Sequence, residues 1–192
     1  MRKRIKDIRR EELLLATLDT IHAVGLQNIT VAKLSATAGM SQGMVHHYFK
    51  NKAEIIEAAI RYVNAKLRDD VINQVNSASS PTERLFKIID VNFSAHWFNT
   101  ETAQLWVSFC AEVPFNPTFH RIQHAIHSRM QSNLLSCLKK IIPDNEATNI
   151  AYELSNMIDG LWLRLSVNST DLTPEKAIIC VTQYLNRVGI YK

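Results

Sequence analysis

The chain has 192 residues, of which 46% are hydrophobic and 21% charged, with only five glycines and five prolines. This composition is typical of a globular protein with a sizeable core, and it excludes a fibrous or an intrinsically disordered chain. Apolar residues recur at spacings of three and four, and period-two alternation is scarce, so we predict an all-α fold.

The net charge of +4 is concentrated in the first quarter of the chain. Residues 1–52 contain nine lysines or arginines against four acidic residues, whereas residues 53–192 contain thirteen against fourteen. This asymmetry predicts a polyanionic partner for the N-terminal part alone, although a solubilising basic tail would have the same composition.

We expect a cytoplasmic protein without a membrane partner. No uncharged apolar run approaches the 18 residues that indicate a transmembrane helix, and charged residues follow the basic N-terminus where a signal peptide would be apolar. The three cysteines, Cys110, Cys137 and Cys180, lie in apolar-periodic stretches without CxxC spacing, which predicts buried, reduced thiols.

Capping residues and breaks in periodicity predict nine helices. Thr30, Ser41 and Asn51 are N-cap candidates, Gly25 is a stop signal, and the Ser/Pro stretch at 77–81 is a linker. The expected helices span about residues 7–24, 31–37, 42–48, 52–76, 81–98, 100–113, 115–141, 145–168 and 174–187. A domain boundary is therefore expected near the linker at 77–81, directly after a long fourth helix at 53–76.

Residues 30–48 have the pattern of a helix-turn-helix, with two short helices joined by a turn at Gly39. Val45 and Phe49 are spaced to pack inward, which leaves a polar outer face on the second helix. Such a helix can enter the DNA major groove, Gln42 can contact a base edge, and Gly43 allows a close approach. An ordinary αα-hairpin with a solvated face is the alternative, and the charge asymmetry favours DNA.

The expected DNA contacts fall into three groups. Base-facing or groove-facing residues are on the second helix, phosphate contacts flank it, and a basic arm precedes the first helix. The full set is Arg2, Lys3, Arg4, Thr30, Lys33, Ser41, Gln42, Gly43, His46, His47, Tyr48, Lys50 and Lys52.

The stretch TVAKLSATAGMSQGMVHHYFKNKAEII, residues 30–56, resembles the DNA-binding signature of the TetR family of bacterial regulators. It departs from the common form at Ser35, usually alanine, and at His46, usually tyrosine. The resemblance implies a three-helix DNA-binding domain at 1–52, a connecting fourth helix at 53–76, and a helical ligand-binding and dimerisation domain at 77–192. It also implies a homodimer built by the last two helices.

The implied dimer places two reading helices about one DNA turn apart, roughly 34 Å, or a multiple of it, on double-stranded operator DNA. Helices eight and nine carry long apolar stripes, for which we expect both a core role and a dimer role. The expected interface residues are Leu154, Ile158, Leu161, Leu165, Val181 and Leu185.

Aromatic and acidic residues of the C-terminal part have a spacing that can line a cation site. Two aromatic walls with carboxylates can form a cage for a quaternary ammonium ion, each desolvated cation–π contact contributing about 2 kcal/mol or more. Ordinary core packing is the alternative for most of the aromatic residues. The expected ligand-binding residues are Trp97, Trp106, Phe109, Glu112, Asp159 and Trp162.

Two further stretches are similar to the BetI-type repressors: PTFHRIQHAIHSRMQSNL at 117–134 and IDGLWLR at 158–164. That resemblance implies control of the conversion of choline to glycine betaine and a response to choline. It extends the likeness over nearly the whole chain.

We therefore predict a repressor, not an enzyme, without a cofactor. His120, His124 and His127 have metal-compatible spacing, but no acid or cysteine completes a local set, so a surface or pH-sensitive patch is favoured.

Three competing functions remain to be weighed against this prediction. The first, within the same class, is a repressor of a multidrug efflux or other catabolic operon with another inducer. The second is an enzyme, which no nucleophile–base motif or phosphate loop supports. The third is an architectural DNA binder without a ligand, which the aromatic-rich C-terminal part disfavours.

Overall fold

The computed structural model describes residues 5–167 and 171–191. Within these ranges the chain forms nine α-helices and one 3-10 turn, Val113–Phe115, and no strand. The helices are α1 (Ile5–Val24), α2 (Val31–Thr37), α3 (Gln42–Tyr48), α4 (Lys52–Val75), α5 (Pro81–Asn92), α6 (Thr100–Glu112), α7 (Pro117–Leu138), α8 (Asp144–Ser166) and α9 (Pro174–Arg187). The predicted all-α class is confirmed.

The chain divides into two compact units, Met1–Ala65 and Lys66–Lys192. The division falls inside α4, the helix that the sequence predicted as the connector between the domains. Each unit has its own apolar core, as an independently packed domain requires.

The first unit is a three-helix module completed by the start of α4. Its core is formed by side chains of all four helices, including Leu13, Leu34, Val45 and Ile55, each fully buried. The turn between α2 and α3 contains Gly39 at φ +61°, a left-handed conformation that a side chain would strain. Local capping and one glycine therefore set the angle between the two short helices.

The second unit is a bundle in which α8 packs against α6, α7 and α9, while α5 packs against α7 and α9. Phe109, Leu134, Leu138 and Leu154 are fully buried in its core. Side-chain caps begin several of its helices, for example Asn116 on α7 and Thr173 on α9. The bundle brings α6, α7 and α8 together, which decides what can form a site there.

Two expectations from the sequence are wrong. Helix five was predicted to reach residue 98, but α5 ends at Asn92. The side chains of Trp97 and Phe98 are buried, but these residues lie in a turn in which both backbone amides donate to the Ser94 carbonyl. Of the three cysteines that were expected to be buried, Cys137 is buried, Cys110 is half-buried and Cys180 is exposed on α9. Apolar periodicity cannot distinguish a buried turn from a helical stripe.

No helix in the described part of the chain is both long and apolar enough to cross a membrane.

Candidate functional sites

Helix α3 presents a polar face held in place by two buried anchors. Ser41 caps the helix by accepting a hydrogen bond from the Met44 amide at 3.2 Å. Val45 and Phe49 are buried beneath it, and the Arg10 guanidinium lies 4.9 Å from the Phe49 ring centroid. The exposed outer residues are Gln42, Gly43, His46 and His47.

The centre of this face is both smooth and partly apolar. A Cβ added at Gly43 would meet only the Ser41 hydroxyl oxygen, at 3.9 Å, so nothing inside the protein requires glycine there. The neighbouring Met44 is 41% exposed, an apolar side chain in an otherwise polar row. Met44 was not among the predicted contacts, although its place near the start of α3 was a usable signal.

Two lysines converge on the loop between α1 and α2. The Lys33 ammonium donates to the Asn28 carbonyl at 3.1 Å, and the Lys52 ammonium donates to the Gln27 carbonyl at 3.0 Å. Each ammonium has three hydrogens, so each keeps donors for an anion. The loop thus fixes two positive charges that the sequence places 19 residues apart.

The remaining predicted contacts flank this pair. Thr30 caps α2 by accepting from the Lys33 amide at 3.2 Å, which leaves its own hydroxyl hydrogen available. Tyr48 is half-buried with its ring 5.4 Å from that of His47, and Lys50 is exposed. Arg2, Lys3 and Arg4, the predicted basic arm, lie outside the described residues.

Aromatic and charged side chains of α6, α7 and α8 meet in the second unit, and we call this group the Trp106 cluster. Its members are Trp106, Phe109, His127 and Asp159. The Trp106 ring lies 5.7 Å from Phe109 and 6.3 Å from His127, between ring centroids. The His127 Nε2 atom lies 3.1 Å from the Asp159 Oδ2 atom.

The other predicted ligand residues lie apart from this chain of contacts. Trp162 is buried with its ring edge-on to Phe98, at 5.3 Å. Trp97 is also buried, and its indole nitrogen donates to Asp70 at 2.9 Å. Glu112 is half-buried in the last turn of α6. The structure therefore joins Trp106, Phe109 and Asp159 through one cluster, and gives Trp97 and Trp162 different partners.

Electrostatics single out Asp159 within the Trp106 cluster. Its hydrogen bond raises the pKa of His127 above the ordinary 6.5 against the opposing effect of burial. Burial, with a smaller contribution from Asp159, raises the pKa of the Cys110 thiol to about 12. An organic cation with a partly buried carboxylate and an indole beside it has the two contacts that favour its binding.

His127 was predicted only as part of a histidine row. Its acidic partner lies 32 residues away on another helix, so no sequence spacing could reveal the pair. His120 and His124 of the same row are exposed. No group of three or more potential metal ligands comes together in the residues that the structure covers.

The predicted dimer residues are already covered by their own chain, with one exception. Leu161 is half-buried, whereas the other five are buried in the second unit. Surface that is buried within a protomer contributes no further burial to a dimer. The five buried residues are Leu154, Ile158, Leu165, Val181 and Leu185.

Helices α8 and α9 nevertheless leave other apolar side chains uncovered. Leu163 and Val167, at the end of α8, are 52% and 69% exposed, and Ile179 on α9 is 53% exposed. Gly160, one turn before Leu163, has open space where a Cβ would be. An exposed apolar strip beside a glycine allows another helix to approach closely.

Two family models match the chain. Residues 13–59 match the bacterial regulatory proteins of the tetR family, and residues 81–189 match the C-terminal domain of BetI-type transcriptional repressors. The chain belongs to the TetR family and carries a BetI-type C-terminal domain. TetR-type regulators bind operator DNA, form dimers, bind small-molecule effectors and are not enzymes. The chain is accordingly a transcriptional repressor of the TetR/BetI type.

Similar proteins agree with this family assignment. The HTH-type transcriptional regulator BetI of Escherichia coli K12 is 33% identical over 175 residues, 90% of each chain. That of Klebsiella pneumoniae is 34% identical over 170 residues, 88% of this chain and 87% of the relative.

Solved structures share the fold at low identity. A TetR regulator from Haloarcula marismortui has a TM-score of 0.84 at 18% identity, over 94% of this chain and 98% of that one. A transcriptional regulator from Saccharomonospora viridis, solved in complex with choline, has a TM-score of 0.82 at 16% identity, over 92% and 95%.

Proposed function

We propose that this TetR/BetI-type repressor controls genes that convert choline to glycine betaine, and that choline or a related quaternary ammonium ion weakens its hold on the operator. The observation that carries the effector proposal is the Trp106 cluster, in which His127 links the Trp106–Phe109 ring pair to the Asp159 carboxylate in the BetI-type domain. The BetI relatives and the choline-bound structural neighbour support the same ligand class.

Operator reading is assigned to the outer face of α3. Gln42 can make paired hydrogen bonds with an adenine, and exposed Met44 can contact the methyl group of a thymine. Gly43 lets the helix backbone approach the base edges, because no side chain stands between them. His46 and His47 extend the polar row towards the end of the helix.

Phosphate binding is assigned to the residues around that helix. Lys33 and Lys52, fixed by the α1–α2 loop, offer two cations whose positions are set before DNA arrives. Such contacts orient the protein on DNA without distinguishing sequences. Further donors come from Thr30, Ser41, Tyr48 and Lys50, and a basic arm comes from Arg2, Lys3 and Arg4.

A cationic headgroup fits the Trp106 cluster because charge and aromatic faces act together. The half-buried Trp106 ring offers a surface that attracts a quaternary ammonium ion, the fully buried Phe109 packs beside that ring, and Asp159 neutralises the charge of the ion. Trp97, Glu112 and Trp162 remain proposed effector contacts outside the Trp106 cluster, with Trp97 bonded to Asp70 and Trp162 packed on Phe98. A neutral alcohol of similar size would lack both attractions.

The dimer is assigned to the exposed strip of α8 and α9. Leu163, Val167 and Ile179 gain burial only when a second copy covers them, whereas buried residues such as Leu154 support the helices from beneath. Because a DNA-binding repressor must reach its operator, we expect the protein in the cytoplasm.

Effector binding would act through α4, the helix that both units share, to change the spacing of the two reading helices. It can do so only to the extent that the effector binds one arrangement of the dimer more tightly than the other.

The test is fluorescence anisotropy with DNA from the region upstream of the gene, over a series of salt concentrations, with choline and with a neutral alcohol of similar size. We expect tight, selective binding that choline weakens and the alcohol does not. Selective binding that ignores choline would refute the effector and favour an efflux-type or other catabolic repressor. If no DNA sequence, including any selected from a random pool, binds selectively, the proposed operator control is wrong.

A further inference from the structure

The Trp106 cluster already contains a cationic group of its own. His127 presents its Nε2 atom to the Asp159 carboxylate at 3.1 Å, while its ring lies 6.3 Å from the Trp106 ring at an angle of 53°. A carboxylate and a nearby indole are the partners that an organic cation would use. The protonated imidazole therefore occupies contacts that an incoming headgroup needs.

Asp159 is the charged group that governs His127. Asp159 on α8 has the largest effect on the protonation of the imidazole, and the titratable residues of α6 are Glu101, Cys110 and Glu112, of which Cys110 is itself affected by Asp159. The 3-10 turn Val113–Phe115 contains no titratable side chain. Asp159 therefore balances the charge of His127.

Charged residues on other helices near α7 act on residues other than His127. Arg84 of α5 acts on Cys137, ten residues or about 15 Å further along α7. The charge of Arg68, on the part of α4 in the second unit, contributes to lowering the pKa of Arg129. Arg129 lies two positions after His127 on α7, and such positions do not share a helix face. On α7 itself, His124 is exposed. None of these groups takes the place of Asp159.

A glutamine beside this pair has a buried atom without a partner. The Gln123 amide nitrogen lies 2.9 Å from His127 Nε2, and the Gln123 Oε1 atom is buried with no hydrogen-bond partner among the described residues. The amide can donate to Nε2 only when that nitrogen is unprotonated, whereas Asp159 can accept from it only when it is protonated. One protonation state therefore cannot satisfy both neighbours of His127 with the amide in this orientation.

We propose that His127 is an internal competitor of the effector: its imidazolium holds Asp159 in the ligand-free protein, and a quaternary ammonium ion displaces it. This inference rests on the proposed function, because it concerns the same cluster. On displacement the Nε2 proton passes to solvent, the neutral ring accepts from the Gln123 amide, and Asp159 faces the effector. The Gln123 oxygen is then an acceptor for a hydroxyl group on the ligand.

The pH dependence follows from the proton that is released. Asp159 keeps the pKa of His127 raised in the free protein, and loss of that partner lowers it in the complex. Between the two values binding releases up to one proton, so affinity rises with pH by at most about tenfold per unit. Above the raised pKa of the free protein, affinity becomes independent of pH.

The same arrangement predicts which cations bind best. Choline has a hydroxyl that can donate to the Gln123 oxygen, whereas tetramethylammonium has no donor and glycine betaine has only acceptors at neutral pH. An unpaired buried acceptor weakens a complex that fails to use it. We therefore expect choline to bind more tightly than either analogue, and Gln123→Leu to reduce the difference between choline and tetramethylammonium.

The experiment is calorimetric titration of the full-length protein with choline from about pH 5.5 to about pH 8.5, a range that brackets an ordinary histidine pKa. His127→Gln is compared with the matched control His124→Gln, an exposed histidine on the same helix. We expect wild type and the control to gain affinity as pH rises. His127→Gln should be flat and should bind more tightly than wild type at the acid end.

Proton release by wild type gives a readout that does not depend on any variant folding. Titrations in two buffers of different ionisation enthalpy should reveal up to one proton released per choline below the raised pKa. Choline binding without proton release or pH dependence would overturn the role of His127 and leave the effector proposal standing. Uniformly weaker binding by His127→Gln would also overturn it. If wild type binds no choline at any pH, the proposed effector is wrong and the inference fails with it.

Discussion

Replacing Gly43 with alanine should separate the stability of the first unit from its binding to DNA. The position is helical without a positive φ, and the added Cβ would meet only the Ser41 hydroxyl oxygen at 3.9 Å. Because glycine loses more backbone entropy on folding, Gly43→Ala should stabilise the protein by about 0.5–1 kcal/mol. For a chain of this size the Tm should rise by about 1–4 °C.

The same methyl group should weaken operator binding, because the proposed interface has α3 lying against base edges at this point. Loss of one good base contact costs about 1–3 kcal/mol, which is about 5- to 150-fold in Kd. Thermal unfolding and anisotropy on one preparation measure both effects. An unchanged Kd would refute the close approach at Gly43, and a lower Tm would refute the claim that the fold has no need of glycine there.

The remaining predictions address specificity, assembly and pH. Gln42→Ala should relax base preference, whereas Lys52→Ala should weaken all sequences alike and reduce the salt slope by about one unit. Leu163→Glu should shift the dimer towards monomer in analytical ultracentrifugation, because it charges an exposed apolar strip. Wild type should be more stable to unfolding than Asp159→Asn, because Asp159 stabilises protonated His127. This difference in unfolding free energy should be greatest below pH 6.5, the ordinary pKa of histidine, and should fall as pH rises through the raised pKa of His127.

Each of these predictions has an outcome that would contradict it. If Gln42→Ala and Lys52→Ala each lowered affinity equally for all DNA sequences, base reading by Gln42 would be refuted. For assembly, Phe115→Glu is the matched control, since Phe115 is exposed outside α8 and α9, and equal dissociation of the two variants would contradict the assigned strip. A constant stability difference between about pH 5 and about pH 8 would contradict the His127–Asp159 pairing. The difference should stay below about 1 kcal/mol because both side chains are nearly half exposed.

The short N-terminal helices could be predicted from the sequence because local interactions define them. Thr30 and Ser41 cap α2 and α3 as expected, and Gly39 makes the turn between them. Prediction failed after Asn92, where apolar residues continue at helical spacing but pack from a turn. Capping depends on neighbours in sequence, whereas the end of α5 depends on tertiary burial of Trp97 and Phe98.

The sites were less accessible to sequence reasoning for the same physical reason. The sequence marked Trp106 and Asp159 as candidates, but the contact that links them runs through His127 on a third helix. Apolar stripes on α8 and α9 indicated burial without indicating which side is covered by the same chain. Leu154 and Leu163 are equally apolar, and only packing distinguishes the core residue from the exposed one.

The most direct test of effector control is the operator affinity of wild type and Asp159→Asn, each measured with and without choline. Glu146→Gln, which removes an exposed carboxylate from the same helix, is the matched control. We predict that choline weakens operator binding by wild type and by the control, but has little effect on Asp159→Asn. Release of Asp159→Asn from DNA at the same choline concentration as wild type would contradict the claim that the Trp106 cluster controls the repressor.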